Sequence, residues 1–211
     1  MSINNSYLQL YLVSDRSWLE GRKLYDVLKQ CLDYGVTCIQ LREKDLSYDK
    51  FLEEAKLIQK LCKAYHVPFI INDNVELAIK INADGVHIGQ NDIDVSEARK
   101  LLGPNKILGV SAQNVEQALE AEKNGASYLG VGAIFPTNTK NDANDVSINT
   151  LSTICNSVKI PTIAIGGISL DNIKLLSKTN ISGVAVVSAI LSSDNIPTTI
   201  KAFNTILREI I

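Results

Sequence analysis

The chain has 211 residues, of which 45% are hydrophobic and 21% charged, and its formal net charge is -2. This length and apolar content predict a single folded domain over residues 1–211. The small net charge excludes a general basic field, so we expect neither nucleic acid nor an anionic membrane as the main partner. No signal peptide is recognisable, and the four cysteines form no Cys-x-x-Cys pair. We therefore expect a cytoplasmic protein with reduced thiols.

Eight short runs rich in Val, Ile and Leu alternate with segments of helical periodicity. We predict strands at 8–13, 38–42, 68–71, 85–88, 107–110, 128–131, 161–165 and 183–187. We predict helices at 24–34, 48–64, 75–81, 95–102, 115–124, 148–156, 170–177 and 198–210. Several strands are almost continuously apolar, as expected for parallel strands buried on both faces. The alternation favours an α/β fold, a (β/α)8 TIM barrel with its active site at the C-terminal strand ends, over an open doubly wound sheet.

Polar side chains follow the second predicted strand. Because side chains alternate along a strand, Gln40, Arg42 and Lys44 point to one side. An amide, a guanidinium and an ammonium that converge at the barrel mouth suit a diphosphate. The alternative is that Arg42 and Lys44 are solvated residues with local carboxylate partners.

Two carboxylates are expected at the ends of neighbouring strands. Asn72 and Asp73 directly follow the third strand, and Asp92 lies a few residues beyond the fourth. Mg²⁺ binds proteins through one or two carboxylates and completes its shell with water and phosphate oxygens. The pair therefore predicts a magnesium site, although either aspartate could instead cap a helix or turn.

The last three strand ends predict a phosphate site. Thr137, Thr139 and Lys140 follow the sixth strand, in a polar segment long enough to be a mobile lid or an ordinary flexible loop. Gly167 follows the seventh strand, while Val187 and Ser188 end the eighth. Barrels frequently hold a phosphate between these last two loops.

The chain has only two histidines, which argues against zinc hydrolysis. His87 lies within an apolar strand, and we expect it to be a hydrogen-bonded interior residue whose role stays open. His66 follows the long second helix, and we expect it at the surface.

Taken together, six segments in order along almost the whole chain resemble the thiamine-phosphate synthase (thiamine phosphate pyrophosphorylase) family. They are Gln40-Leu41-Arg42-Glu43-Lys44, Ile71-Asn72-Asp73, the stretch from Ala83 to Asp92, Leu108-Gly109-Val110-Ser111, the stretch from Gly132 to Lys140, and Ala164-Ile165-Gly166-Gly167-Ile168. The resemblance implies a transferase that joins a hydroxymethylpyrimidine diphosphate to a thiazole phosphate, with Mg²⁺, yielding thiamine phosphate and pyrophosphate by a dissociative reaction.

The resemblance also implies the roles of individual residues. It assigns the pyrimidine diphosphate to Gln40, Arg42, Lys44, Asn72, Ser111 and Lys140, with Arg42, Lys44, Lys140 and Ser111 as the catalytic set. It assigns the thiazole phosphate to Thr137, Thr139, Gly167, Val187 and Ser188, and the metal to Asp73 and Asp92.

Two other functions stay open at the level of the sequence. A thiazole tautomerase-like isomerase shares the barrel but needs no full diphosphate and metal site. A non-catalytic barrel that binds thiamine precursors would bind ligand without turnover. Sugar-phosphate epimerases are disfavoured because their metal-binding histidines have no counterpart here. We expect small-molecule partners only, and the sequence leaves a homo-oligomer open.

Overall fold

A computed structural model describes residues 3–137 and 145–211, and these form a closed barrel of eight parallel strands. Each strand pairs with the preceding one, and the last pairs with the first. The strands are β1 (Leu10–Val13), β2 (Cys38–Leu41), β3 (Phe69–Asn72), β4 (Gly85–Ile88), β5 (Ile107–Ala112), β6 (Tyr128–Val131), β7 (Thr162–Ile165) and β8 (Gly183–Val186). The predicted (β/α)8 barrel is confirmed.

One α-helix follows each strand from β1 to β6, and two α-helices follow β8. They are α1 (Leu24–Asp33), α2 (Tyr48–Ala64), α3 (Val75–Lys80), α4 (Val95–Leu102), α5 (Val115–Lys123), α6 (Ile148–Ser157), α7 (Ser188–Leu191) and α8 (Ile196–Ile210). The helices α1 to α6 begin at the predicted residues. Helix α8 begins two residues before the predicted Thr198, because the Asn195 side chain caps it and proline occupies its first turn. Among the described residues, no helix combines the length and apolar character needed to span a bilayer.

The connection between β7 and β8 differs from the prediction. The helix predicted over 170–177 is only a four-residue 3-10 helix, Ile173–Leu176. The side chain of Asn172 accepts a hydrogen bond from the Ser169 amide at 2.9 Å and donates one to the Gly167 carbonyl at 2.8 Å. Since these bonds hold the chain in a loop as far as Asn172, helical structure starts later than the apolar periodicity predicts.

Two apolar layers form the core. Outward-facing strand residues such as Leu12, Ile39 and Leu129 pack against the surrounding helices. Inward-facing residues such as Tyr11 and Tyr128 fill the barrel interior, which is also lined by Leu8, Cys38 and Ile70. Because successive side chains point to opposite faces, a strand such as β1 contributes to both layers. Towards the carboxyl ends of the strands, the interior changes from apolar to polar.

The guanidinium of Arg99 ties several segments together at the opposite end of the barrel. It donates hydrogen bonds of 2.8 to 2.9 Å to the carbonyls of Gly103, Lys106 and Gly125, and one of 3.1 Å to the Ser127 hydroxyl. These groups belong to the turns that precede β5 and β6. Arg99 therefore stabilises the entry of both strands into the barrel.

Candidate active site at the carboxyl ends of the strands

Gln40 and Ser111 are held by hydrogen bonds to neighbouring side chains. Gln40 lies on β2 with only 5% of its surface exposed, and its Nε2 donates to the Tyr11 hydroxyl at 2.9 Å. Ser111 lies on β5, and its Oγ is 3.0 Å from Nε2 of His87. The Ser111 carbonyl also accepts a 2.6 Å hydrogen bond from the Gln90 side chain. Both residues are thus fixed before any ligand arrives.

His87 joins two tyrosines inside the barrel. Its Nδ1 lies 2.9 Å from the Tyr128 hydroxyl, and the hydroxyl groups of Tyr128 and Tyr11 are 2.7 Å apart. Burial raises the pKa of both tyrosines well above the ordinary value. The prediction that His87 is a hydrogen-bonded interior residue is confirmed, and His66 is exposed as expected.

Arg42 is paired with a carboxylate that the sequence analysis did not single out. Its Nη1 lies 2.8 Å from Oδ2 of Asp15, and the two side chains are only 13% and 14% exposed. The other carboxylate oxygen of Asp15 accepts a 3.0 Å hydrogen bond from the Ser17 amide and so caps the 3-10 helix Arg16–Trp18. A local carboxylate partner for Arg42, the alternative considered above, is therefore present. The pair uses one of the five guanidinium N–H donors.

Lys44 is exposed in the loop after β2, beside a buried acidic residue. The side chain of Glu43 is only 3% exposed, and its Oε1 lies 2.9 Å from Nε of Arg16. Arg16 donates to Oε2 of Glu43 at 2.9 Å and also contacts Glu54. Burial, reinforced by Glu54 and opposed by Arg16, raises the pKa of the Glu43 carboxyl from 4.5 to about 7.

Asn72, Asp73 and Asp92 lie at the ends of the adjacent strands β3 and β4. Asn72 is the last residue of β3 and pairs with His87. Asp73 has a left-handed backbone with φ of 61°, and its amide donates to the His87 carbonyl at 2.8 Å. Oδ2 of Asp92 accepts a 2.7 Å hydrogen bond from the Gly89 amide, so this aspartate does stabilise a turn.

The two aspartates suit a magnesium ion in their chemistry. They are hard oxygen donors in the segments that follow the neighbouring strands β3 and β4, and Mg²⁺ commonly takes one or two protein carboxylates. No group of three or more potential metal ligands occurs within residues 3–137 and 145–211. Any ion held here would therefore depend on water and phosphate oxygens for the rest of its shell.

A cavity of about 290 Å³ lies between the loops after β6, β7 and β8. Predicted residues Thr137, Gly167 and Ser188 line it. At Gly167 the backbone φ is 63°, and a Cβ atom would stand 2.5 Å from the Phe135 and Pro136 carbonyl oxygens, so only glycine fits without strain. Val187 directly precedes α7 and packs against both apolar layers instead. The predicted residues Thr139 and Lys140, with most of the predicted lid, lie outside the described residues.

The structure adds residues that the sequence analysis missed. Trp18, Ser169 and Ser192 line the same cavity. A tryptophan in a segment without periodicity gave no signal of its own. Tyr11 and Tyr128 could have been found from the sequence. Both lie at inward positions of their strands, and a buried Tyr hydroxyl needs a hydrogen-bond partner.

A larger cavity, of about 870 Å³, opens at the amino ends of the strands. Lys60, Lys63, His66 and Lys106 contribute to its lining, together with residues from the start of the chain. None of the predicted site residues within 3–137 and 145–211 lines it. Because active sites of such barrels lie at the carboxyl ends of the strands, the smaller cavity is the relevant one.

Comparisons with known proteins agree with this geometry. A family model described as thiamine monophosphate synthase matches residues 10–190. Thiamine-phosphate synthase of Clostridium tetani is 51% identical over 187 residues, which cover 89% of this chain and 90% of the relative. That of Clostridium acetobutylicum is 50% identical over 194 residues, covering 92% of both chains. The solved structure of thiamine phosphate pyrophosphorylase from Pyrococcus furiosus matches with a TM-score of 0.90 at 35% identity, covering 98% of each chain.

The closed parallel barrel and the polar rim at its carboxyl end define the class of protein, a (β/α)8-barrel enzyme. More specifically, the chain belongs to the thiamine monophosphate synthase family. The resemblance found in the sequence is confirmed, and with it the expectation of a transferase of thiamine biosynthesis.

Proposed function

We propose that this protein joins hydroxymethylpyrimidine diphosphate to thiazole phosphate, in its carboxylated or decarboxylated form, and releases thiamine phosphate and pyrophosphate, with carbon dioxide as a third product when the thiazole is carboxylated. The observation that carries the proposal is the family match over residues 10–190. Residues 1–211 would act as one domain on these small molecules. A cytoplasmic location stays a prediction.

The pyrimidine diphosphate is assigned to the polar rim formed by Gln40, Arg42, Lys44, Asn72 and Ser111, together with Lys140. The hydrogen bonds of Gln40 and Ser111 and the ion pair of Arg42 support this assignment. Groups already held in place need little reorganisation when charge develops on a substrate.

The thiazole phosphate is assigned to the cavity lined by Thr137, Gly167 and Ser188. Thr139 and Val187 are assigned to the same ligand. The position of this cavity between the loops after β7 and β8 supports the assignment, since barrels frequently hold a phosphate there. Trp18 provides an aromatic wall on which a flat heterocycle can pack.

Asp73 and Asp92 are proposed to hold Mg²⁺. Asp73 directly follows β3 and Asp92 lies in the turn after the neighbouring strand β4, and their donor chemistry fits this ion. When bound, Mg²⁺ would supply positive charge to the diphosphate and to the pyrophosphate that leaves.

The chemistry requires no protein nucleophile. The bond between the pyrimidine methylene carbon and the diphosphate oxygen breaks, and its electron pair leaves with pyrophosphate. The lone pair of the thiazole nitrogen then forms the new carbon–nitrogen bond to the resulting pyrimidine-stabilised cation. The positive charges of Arg42, Lys44 and Lys140 would stabilise the departing pyrophosphate, while the Ser111 hydroxyl would orient the diphosphate.

The test is a stoichiometric assay of the purified protein with pyrimidine diphosphate, thiazole phosphate and Mg²⁺, with and without a chelator. We expect thiamine phosphate and pyrophosphate in equal amounts, and neither product when the metal is removed. Conversion of a thiazole tautomer without pyrophosphate would instead identify an isomerase. Tight binding of thiazole phosphate without any turnover would identify a precursor-binding protein.

A further inference from the structure

Five polar side chains form a hydrogen-bonded chain that crosses the barrel interior. Nε2 of Gln40 lies 2.9 Å from the Tyr11 hydroxyl, which lies 2.7 Å from the Tyr128 hydroxyl. That hydroxyl lies 2.9 Å from Nδ1 of His87, whose Nε2 is 3.0 Å from the Ser111 hydroxyl. The chain thus links β2 on one wall to β5 on the other and connects two residues of the candidate site.

The donor at the Gln40 end and the single proton of each hydroxyl allow one consistent direction for this chain. Burial raises the pKa of Tyr11 and Tyr128 well above the ordinary value, so each hydroxyl keeps its single proton. Since the Gln40 nitrogen can only donate, Tyr11 accepts from it. Either hydroxyl of the Tyr11–Tyr128 pair can be the donor, and we infer the direction in which Tyr11 gives its proton to Tyr128. The single proton of Tyr128 is then directed at Nδ1 of His87.

This direction defines the state of the imidazole. A neutral histidine whose Nδ1 accepts carries its proton on Nε2. His87 therefore donates through Nε2 to the Ser111 oxygen. The proton of the Ser111 hydroxyl is not used in this bond and can be donated elsewhere.

We propose that Tyr11, Tyr128 and His87 are positioning residues that hold Ser111 with its hydroxyl proton available to a diphosphate oxygen of the substrate. The identity of that substrate rests on the proposed function. The opposite orientation of the Gln40 amide would reverse every donor, place the proton of His87 on Nδ1, and direct the Ser111 proton into the chain. The two ends of the chain are therefore coupled across the barrel.

The packing around the imidazole supports a fixed arrangement. Gly109 and Gly130 lie on β5 and β6 beside His87. A Cβ atom at Gly109 would overlap both His87 and Tyr128, and one at Gly130 would stand 3.0 Å from Cε1 of His87. The backbones of two strands thus enclose the ring, which restricts its rotation.

The direct test is the tautomer of His87, measured by NMR on the free protein with nitrogen-15 in its histidine rings. The chain has two histidines, so His66→Asn leaves His87 as the single signal. Asparagine suits this site because His66 has a left-handed backbone with φ of 56°. We expect an unprotonated Nδ1 and a protonated Nε2 near neutral pH. A proton on Nδ1 would overturn the proposal, and no substitution in the chain of hydrogen bonds is needed to find it.

A second measurement tests whether Tyr128 determines the tautomer. In the His66→Asn background, Tyr128→Phe removes the donor to Nδ1, and we expect the two ring-nitrogen shifts to move towards each other as the tautomers mix. Tyr65→Phe is the matched control, because it removes a tyrosine hydroxyl that binds Asp33 outside the barrel. Unchanged shifts in Tyr128→Phe would contradict the proposal.

A double-mutant cycle tests whether Tyr128 acts through Ser111. We expect Tyr128→Phe to lower kcat/KM about tenfold, the scale of one hydrogen bond, and to have little further effect in a Ser111→Ala background. Independent, multiplicative losses would show a merely structural role and contradict the proposal. Because the tautomer is measured without substrate, its failure can be distinguished from an absence of synthase activity.

Discussion

Oδ2 of Asp15 lies 2.8 Å from Nη1 of Arg42, while Oδ1 of the same carboxylate caps the 3-10 helix that carries Trp18. Asp15 therefore contacts Arg42, which is assigned to the pyrimidine diphosphate, and stabilises the helix that carries Trp18, which is assigned to the thiazole. This relationship connects the two proposed substrate sites.

Asp15 can be substituted so that these two contacts are lost separately. Asp15→Asn keeps an oxygen for the cap but removes the charge opposite Arg42, so we expect KM for the pyrimidine diphosphate to rise about tenfold. Asp15→Ala also removes the cap, and we expect KM for thiazole phosphate to rise as well. Steady-state kinetics with each substrate varied in turn distinguishes the two variants, and identical effects on both KM values would contradict this account.

Charge at the rim is expected to govern turnover. Lys44→Ala and Asp73→Asn should each lower kcat/KM about a hundredfold or more, the scale of one lost electrostatic contact in the transition state. Asparagine is chosen at Asp73 because it tolerates the left-handed backbone. Lys63→Ala, at the opposite end of the barrel, is the control and should keep normal rates. Near-normal turnover in both rim variants would rule out the assignments.

Glu43 should make folding stability depend on pH. Its pKa in the folded protein is raised from 4.5 to about 7, mainly by burial. Between these values the folded state binds more protons than the unfolded state, so the free energy of unfolding contributed by this group falls as pH rises. We expect Glu43→Gln to remove that decline. Denaturant unfolding at about pH 5, 6, 7 and 8, which spans the titration range, measures it.

The neighbouring carboxylate offers a second variant for the same question. Glu54→Gln removes a group that raises the pKa of Glu43. The decline in stability should therefore shift to lower pH without disappearing. Parallel pH profiles for the original protein and both variants would contradict the assignment of this titration to Glu43.

The space beside His87 admits no additional methyl group. At Gly109 a Cβ atom would overlap His87 and Tyr128, whereas at Gly130 it would stand 3.0 Å from the imidazole. We expect Gly109→Ala to cost about 1–3 kcal/mol of stability, as overpacked cores do, and to lower kcat of the folded protein. Gly130→Ala should have the same effects to a smaller degree. The opposite order in thermal unfolding and kcat would contradict this view of the barrel interior.

Arg99 should matter for stability and little for catalysis. Arg99→Met keeps an apolar stem but removes four hydrogen bonds to buried or half-buried groups, and we expect a loss of about 2–4 kcal/mol. Arg208→Met, at an exposed position of α8, is the matched control and should change stability little. Denaturant unfolding measures both, and kcat per folded molecule should remain normal.

Local signals in the sequence account for what could be predicted. Helices α1 to α6 start at the predicted residues because apolar periodicity is a local property, and cap side chains such as Asp94, Asn114 and Ser147 mark three of those starts. The helix predicted over 170–177 was too long, since the side chain of Asn172 binds backbone groups that no periodic pattern reveals.

The contacts within the site could not be predicted in the same way. Arg42 and Asp15 are 27 residues apart, and His87 and Tyr128 are 41 apart, so both pairs exist only once the barrel closes. The sequence could place Gln40 and Ser111 at strand ends, but it could not show that an interior chain of hydrogen bonds joins them.

The four cysteines lie at different depths in the fold. Cys38 is in the barrel interior, Cys31 and Cys62 are in the layer between barrel and helices, and Cys155 is partly exposed. Burial raises the pKa of Cys31 and Cys62 to about 12 and that of Cys155 to about 11. Since thiolates are the reactive form, these side chains are protected both by access and by protonation. The rate at which each thiol reacts with a labelling reagent therefore reports local unfolding of its surroundings. Cys155 reports on the periphery, Cys31 and Cys62 on the layer between barrel and helices, and Cys38 on the barrel interior.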